Sequence, residues 1–204
     1  MDGAMHFREL LRDNISPVLR ARGFVRTGNR FVKWVGKNAE VLEFMTVPHK
    51  GGPLEFTLFL GTFSKRAWYF STDSAPVPKS PDHSQCHWGH FLEAFMPEYR
   101  DRWWSVGDPT QVPTLALEIL NVLESRVLRL LDSNVTDEAL RDGWLTGRAP
   151  WLGVVQRLAY LVLMLHILGP RTEIPRFTEQ LRKEAESTHA ASVALERLES
   201  LHLI

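Results

Sequence analysis

The chain has 204 residues, 44% of them hydrophobic and 24% charged, and its 24 basic side chains balance its 24 acidic ones. That length can bury a substantial core, and the neutral balance gives no global pull toward nucleic acid, anionic membrane or acidic substrate. A single cysteine excludes an internal disulfide framework and fits a reducing compartment. The charged first twenty residues carry no apolar leader, and no run reaches the roughly 20 apolar residues that a bilayer requires. We therefore expect a cytoplasmic protein with no membrane-embedded part.

The charge is unevenly placed. Residues 1–37 carry eight basic and three acidic side chains, whereas residues 108–147 carry seven acidic and three basic ones. Two solvated faces attracting each other across the fold account for this, and a basic binding patch is the sharper alternative.

Phe7, Leu10, Leu11, Ile15, Val18 and Leu19 recur at helical spacing and predict an amphipathic helix. Pro17 should kink it, and Gly23 should stop it. Phe24–Thr27 and Arg30–Val35 flank Gly28-Asn29, a pair that tolerates positive φ and reads as a hairpin turn. Ala39–Val47 is apolar on both faces at several positions and reads as a central strand. Leu54, Phe56, Leu58 and Leu60 form an apolar face against Glu55 and Thr57 in the next strand, to about Phe63. Trp68–Phe70 reads as a further short strand, and Ser71–Asp82, with three prolines, as an exposed loop.

Cys86–Phe95 fits a strand or a short helix; its aromatics and the position of Gly89 favour the strand. Arg102–Val106 predicts another strand, with Trp103 and Trp104 on opposite faces. After Asp108-Pro109 the pattern turns helical. Apolar residues from Leu115 to Leu131 give a long helix, and Thr136 caps a short one through about Leu145. Trp151–Leu168 is apolar nearly all round and should be buried. Gly169-Pro170 ends it, and two amphipathic helices follow, Ile174 to about Glu186 and Ala190–Leu203. The fold class is α+β: a largely antiparallel sheet of five or six strands, a leading helix and an all-helical C-terminal half. We divide it into a sheet domain, 1–133, and a helical extension, 134–204.

The chain lacks the Gly-x-Ser-x-Gly elbow, the phosphate loop and the dinucleotide fingerprint, so no cofactor is expected. Residues 81–106 hold His83, Cys86, His87, His90, Trp88, Trp103 and Trp104. On a helix, His83, His87 and His90 share a face and Cys86 pairs with His90, all reasonable Zn²⁺ ligand types. On a strand, His83 and His87 face away from Cys86 and His90, and no four-ligand site forms. Trp88, Trp103, Trp104 and Arg102 are candidates for a contact surface or pocket, against the alternative that the tryptophans bury the seam between sheet and helices. Arg22, Arg26, Arg30, Lys33 and Trp34 have the basic and aromatic flavour of a single-stranded nucleic-acid platform, a composition that any hairpin with one polar face also produces.

The helix ending in Gly23-Phe24, the hairpin with Arg30-Phe31, the strand carrying His87–Phe91, and Asp101-Arg-Trp-Trp-Ser-Val106 before a long helix resemble the bacterial family named domain of unknown function 4304. The likeness covers about residues 5–131 and extends more loosely to about 185. It implies an α+β fold and brings no established activity or catalytic residues. The reading that follows is a non-enzymatic module that binds another protein, of the kind found among immunity proteins that neutralise toxins. The alternatives are a small-molecule or metal-dependent enzyme built on His83–His90, and nucleic-acid binding through the basic hairpin.

Overall fold

The computed structural model describes residues 3–47, 52–99, 103–148 and 151–204. Its first helical stretch runs as α1 (Gly3–Glu9), a π-helical segment (Leu10–Ile15) and α2 (Ser16–Ala21). The expected kink at Pro17 takes the form of that π segment. Proline has no N–H to return to the preceding turn, and the N–H of Ser16 bonds the carbonyl of Leu11, five residues back. Gly23, at φ +88, then turns the chain into the sheet.

The sheet follows the expected meander. β1 (Val25–Thr27), β2 (Arg30–Val35), β3 (Asn38–Val47) and β4 (Leu54–Ser64) pair in order, all antiparallel. Ser64 then caps α3 (Lys65–Thr72), its side chain accepting from the N–H of Ala67. The short strand expected at Trp68–Phe70 is thus a helix. Its aromatic composition suits a strand, but the cap at Ser64 and the left-handed Asp73 (φ 52) bracket two helical turns. β5 (Trp88–Phe91) pairs with the second half of β4, α4 (Leu92–Phe95) follows it directly, and β6 (Trp104–Val106) pairs with the first half of β4. The strand-or-helix ambiguity at Cys86–Phe95 resolves as four residues of each.

The helical half comprises α5 (Val112–Val122), a π-helical segment (Leu123–Val127), α6 (Leu128–Asn134), α7 (Asp137–Leu145), α8 (Val154–Leu168), α9 (Ile174–Ala185) and α10 (His189–Ser200). The α8 helix is buried along eight consecutive residues, Leu158–Leu165, as its all-round apolar sequence requires. No helix among the described residues is long and apolar enough to cross a membrane.

Both faces of the sheet are covered. Phe31, Leu42, Phe44, Phe56, Leu58 and Leu60 join one large core with Leu10, Leu11 and Ile15, with Ile119 and Leu123, and with side chains of every helix from α7 to α10. The opposite face holds Val32, Ala39, Val41, Phe59 and Phe63 in a smaller core with Cys86, against which Val77 and Trp151 pack. The proline-rich segment after α3 is therefore not simply an exposed loop: Pro81 is buried and Val77 is half-buried over this second face. Its prolines offer no N–H to be left unpaired there.

Two glycines set the approach of β5 to β4. Gly61 and Gly89 lie directly opposite each other. A Cβ on Gly89 would fall 2.5 Å from the Leu60 carbonyl oxygen and 2.7 Å from Gly61 Cα, at a φ of +151 that disfavours any side chain. Gly89→Ala should accordingly cost about 3 kcal/mol through forced backbone displacement. Urea unfolding of the variant checks this; an unchanged midpoint would refute so close an approach.

Candidate functional site

The segment 81–95 is seated from its first residue. Asp82 caps a 3₁₀ turn at His83–Gln85, accepting from the N–H of Ser84 at 3.0 Å while Gln85 Oε1 accepts from the N–H of Asp82 at 3.0 Å. Glu43 on β3 holds that turn: its Oε2 accepts from the backbone N–H of His83 and lies on His83 Nδ1, each at 3.0 Å. Arg30 donates to Glu43 Oε1 at 3.2 Å and to the Ser80 carbonyl at 2.6 Å. Burial pushes the Glu43 carboxyl up, but the His83 and Arg30 hydrogen bonds outweigh it and hold the group below its ordinary range.

Cys86 and His87 turn inward. Cys86 is buried, its Sγ 3.5 Å from the Asp82 carbonyl oxygen, and burial drives its thiol well up. A thiol held protonated in this way is a poor nucleophile. His87 is 3% exposed. Its N–H donates to the Thr62 carbonyl at 2.8 Å, its Nδ1 accepts from the N–H of Ser64 at 3.1 Å, and its carbonyl accepts from Trp144 Nε1 at 3.2 Å. Burial lowers its pKa to about 3, so the ring is neutral. The His90 ring lies 6.0 Å from Trp151, with Nδ1 buried and unpartnered. The four metal-donor candidates thus lie in separate settings, and among the described residues no three His, Cys, Asp or Glu are grouped to hold a metal ion.

The tryptophans divide. Trp104 is 4% exposed, packs 5.7 Å from Phe56 and donates to Glu118 at 3.1 Å; Trp103, its neighbour, is 40% exposed. Arg102 lies outside the described residues. Trp88 stacks on Phe95 at 5.1 Å and lines a groove of about 720 Å³ between β5–α4 and the α6–α7 corner. Leu130 adds to its apolar floor; Asn134, Asp142 and Arg148 stand at its polar side. A shallower depression of about 370 Å³ continues past Phe95 to Arg126 and Arg129. Arg126 pairs with Glu98 and Asp142 with Arg141. Arg129 and Arg148 are exposed and have no carboxylate partner among the described residues. Phe95, Leu130, Arg129 and Arg148 carry no motif, and nothing in the sequence signals that they meet.

The basic hairpin residues are committed within the fold. Arg22 pairs with Glu124 at 3.3 Å, Arg26 donates to the Gly28 carbonyl at 2.7 Å and to Ser16 at 3.1 Å, and Arg30 is held as above. Trp34 donates to the Lys79 carbonyl at 3.3 Å. Lys33 bridges Glu40 at 3.1 Å and Asp132 on α6 at 3.1 Å. Through Arg22 and Lys33 the basic N-terminal segment is joined to the acidic 108–147 segment.

Glu40 is the most perturbed carboxylate of this face. It is fully buried on β3, opposite Lys33 on one side and Thr62 on the other. Burial, and to a lesser degree the Asp132 carboxylate, raise it from 4.5 to about 7 against the opposing pull of Lys33.

No protein-family model matches this chain, and no curated protein or solved structure is significantly similar to it.

Glu40 and His87 act on stability in opposite directions. Stability associated with the raised Glu40 is fully present below pH 4.5 and is lost as pH rises through about 7. Stability associated with the depressed His87 is present above pH 6.5 and is lost as pH falls through about 3. Each slope is about 1.4 kcal/mol per pH unit, so between pH 4.5 and 6.5 the two should cancel. Glu40→Gln removes one of them, and the variant should become steadily less stable as pH falls from 6.5 to 4.5. Chemical denaturation at several pH values checks this; a variant as flat as the parent would rule out the raised Glu40.

Proposed function

We propose that the protein is a non-catalytic recognition module, and that the groove floored by Trp88 and Phe95 receives an extended, acidic segment of a partner protein. The observation that carries this is the pairing of a stacked aromatic floor with two exposed arginines that no carboxylate among the described residues pairs. Aromatic and arginine side chains together dominate the energetics of protein recognition. Arg129 and Arg148 supply planar donor forks suited to carboxylates, and the apolar floor suits an aromatic or aliphatic anchor beside them.

A non-catalytic role is supported by how the chemically capable groups are used. The Cys86 thiol is held protonated, His87 Nδ1 bonds Ser64, and His83 is tied to Glu43. The immunity-like form of this reading, in which the acidic segment belongs to a toxin, is part of the proposal. So is the resemblance to domain of unknown function 4304, which brings no activity with it.

The test is selection of a displayed peptide library on the immobilised protein. Enriched peptides should combine an apolar anchor with Asp or Glu and should bind less tightly as salt rises. Arg129→Glu with Arg148→Glu, both on exposed side chains, should weaken binding at least about tenfold. Ala139→Trp, which fills the groove, should abolish it. Peptides without acidic bias, or binding unmoved by these variants, would overturn the proposal. Steep, salt-sensitive binding of single-stranded nucleic acid would favour the basic-hairpin alternative instead.

A further inference from the structure

A second, smaller cavity lies on the other side of His87. It measures about 210 Å³, room for about seven waters, and sits between the His83–Gln85 turn, α3 and the N-terminal end of α8. Trp68, Trp151 and Tyr160 form aromatic walls, and His87, Gln85 and Gln156 line it with polar atoms. Among the described residues, no Lys, Arg, Asp or Glu lines it.

Donors predominate among its polar groups; the Ser71 and Ser84 hydroxyls, whose protons go to the Trp68 carbonyl and to Asp82, add two acceptors. His87 Nδ1 accepts from a backbone N–H, so the ring proton sits on Nε2. Nε2 has no hydrogen-bond partner among the described residues, and this otherwise buried residue lines the cavity. Gln85 Oε1 accepts from the N–H of Asp82 at 3.0 Å, and Gln156 Oε1 accepts from the N–H of Gly153 at 3.3 Å. Only an amide oxygen can accept there, which fixes both side-chain orientations and leaves both NH₂ groups without a partner among the described residues. The cavity also meets the N-terminal end of the fifteen-residue α8, where the helix dipole adds positive potential. Burial keeps His87 neutral down to about pH 3, so it donates without charge throughout the physiological range.

Three donors and two hydroxyl acceptors among aromatic walls, with no charged side chain among the described lining residues, complement a flat neutral ring that carries acceptors and an N–H. We propose that this cavity binds a small neutral heteroaromatic molecule through its ring carbonyl or ring nitrogen, the chemistry shared by nucleobases and pyridine carboxamides. A neighbouring cleft of about 210 Å³ shares Gln156 and Tyr160 with it and runs on between α3, α8 and α10, offering space for a substituent on the ring. This site is independent of the Trp88 groove and of the partner proposed for it.

The experiment is ligand-observed NMR titration of the full chain with uracil and with nicotinamide, alongside toluene and benzoate as apolar and charged comparators. Saturable binding of uracil or nicotinamide is expected at about 1 mM, an ordinary affinity for a fragment of this size; which of the two binds more tightly separates the nucleobase from the carboxamide source. Gln156→Glu and Gln85→Glu each retain the oxygen that accepts from the backbone and lose the NH₂ donor. Each should weaken binding about tenfold while leaving the melting temperature unchanged. The proposal is overturned if neither ring saturates up to about 10 mM, if toluene or benzoate binds as well, or if both glutamate variants bind like the parent.

Discussion

The fold depends on the seating of one residue, His87. Its N–H bonds the Thr62 carbonyl, its Nδ1 takes the N–H of Ser64, and its carbonyl takes the indole N–H of Trp144. One residue thereby ties the end of β4, the start of β5 and the α7 helix at a single point. Its ring is packed between Phe63 at 5.4 Å and Tyr160 at 5.2 Å, which draws α8 into the same junction. Each of these bonded groups is buried, so a bond left unmade would cost the desolvation of its partner, about 1–3 kcal/mol. The ring must also be neutral to accept from Ser64, and burial ensures that it is. The opposed glycines Gly61 and Gly89 complete the seating, because only their missing side chains let the strand beyond His87 lie flush on β4.

Much of this architecture was legible in the sequence, and what was missed shares one cause. The meander, the hairpin at Gly28-Asn29, the opposite facing of Trp103 and Trp104 and the buried α8 follow from periods of two and 3.6 and from turn chemistry, which are local properties. The helix at Lys65–Thr72 was hidden because Trp68, Tyr69 and Phe70 are strand-like by composition, and the bracketing signals at Ser64 and Asp73 are single residues. The second core was hidden because no period marks a proline-rich segment as the lid of a sheet face. Whether a basic hairpin faces outward is decided by its acidic partners: Glu43 on the neighbouring strand for Arg30, and the distant Asp132 for Lys33 and Glu124 for Arg22. Arg22 and Glu124 are half-exposed, so that pair contributes little to stability. The buried Glu40 beneath Lys33 is the costlier arrangement.

The candidate sites were less legible still, for a geometric reason. Residues 81–106 were recognisable as the densest part of the chain, yet as a set of metal donors they do not converge. What the segment supplies is one wall of each of two cavities, and the other walls come from 130–148 for the groove and from 68–71 and 151–160 for the smaller cavity. A one-dimensional pattern can flag Trp88 or His87 but cannot show which distant glutamine or arginine stands opposite.

His87 and Trp88 are neighbours in sequence, and successive side chains of extended backbone point to opposite sides. That alternation is why one short segment lines both cavities: His87 opens toward Tyr160 and Gln156, and Trp88 toward Phe95 and Leu130. Because both residues are fixed by the same hydrogen bonds and the same glycine contact, neither wall can move without disturbing the other. A site so held loses little conformational freedom when occupied, and preorganisation of that kind converts modest contact area into affinity. On the proposed reading, the tight Gly61–Gly89 contact and the uncharged His87 ring serve recognition as much as folding.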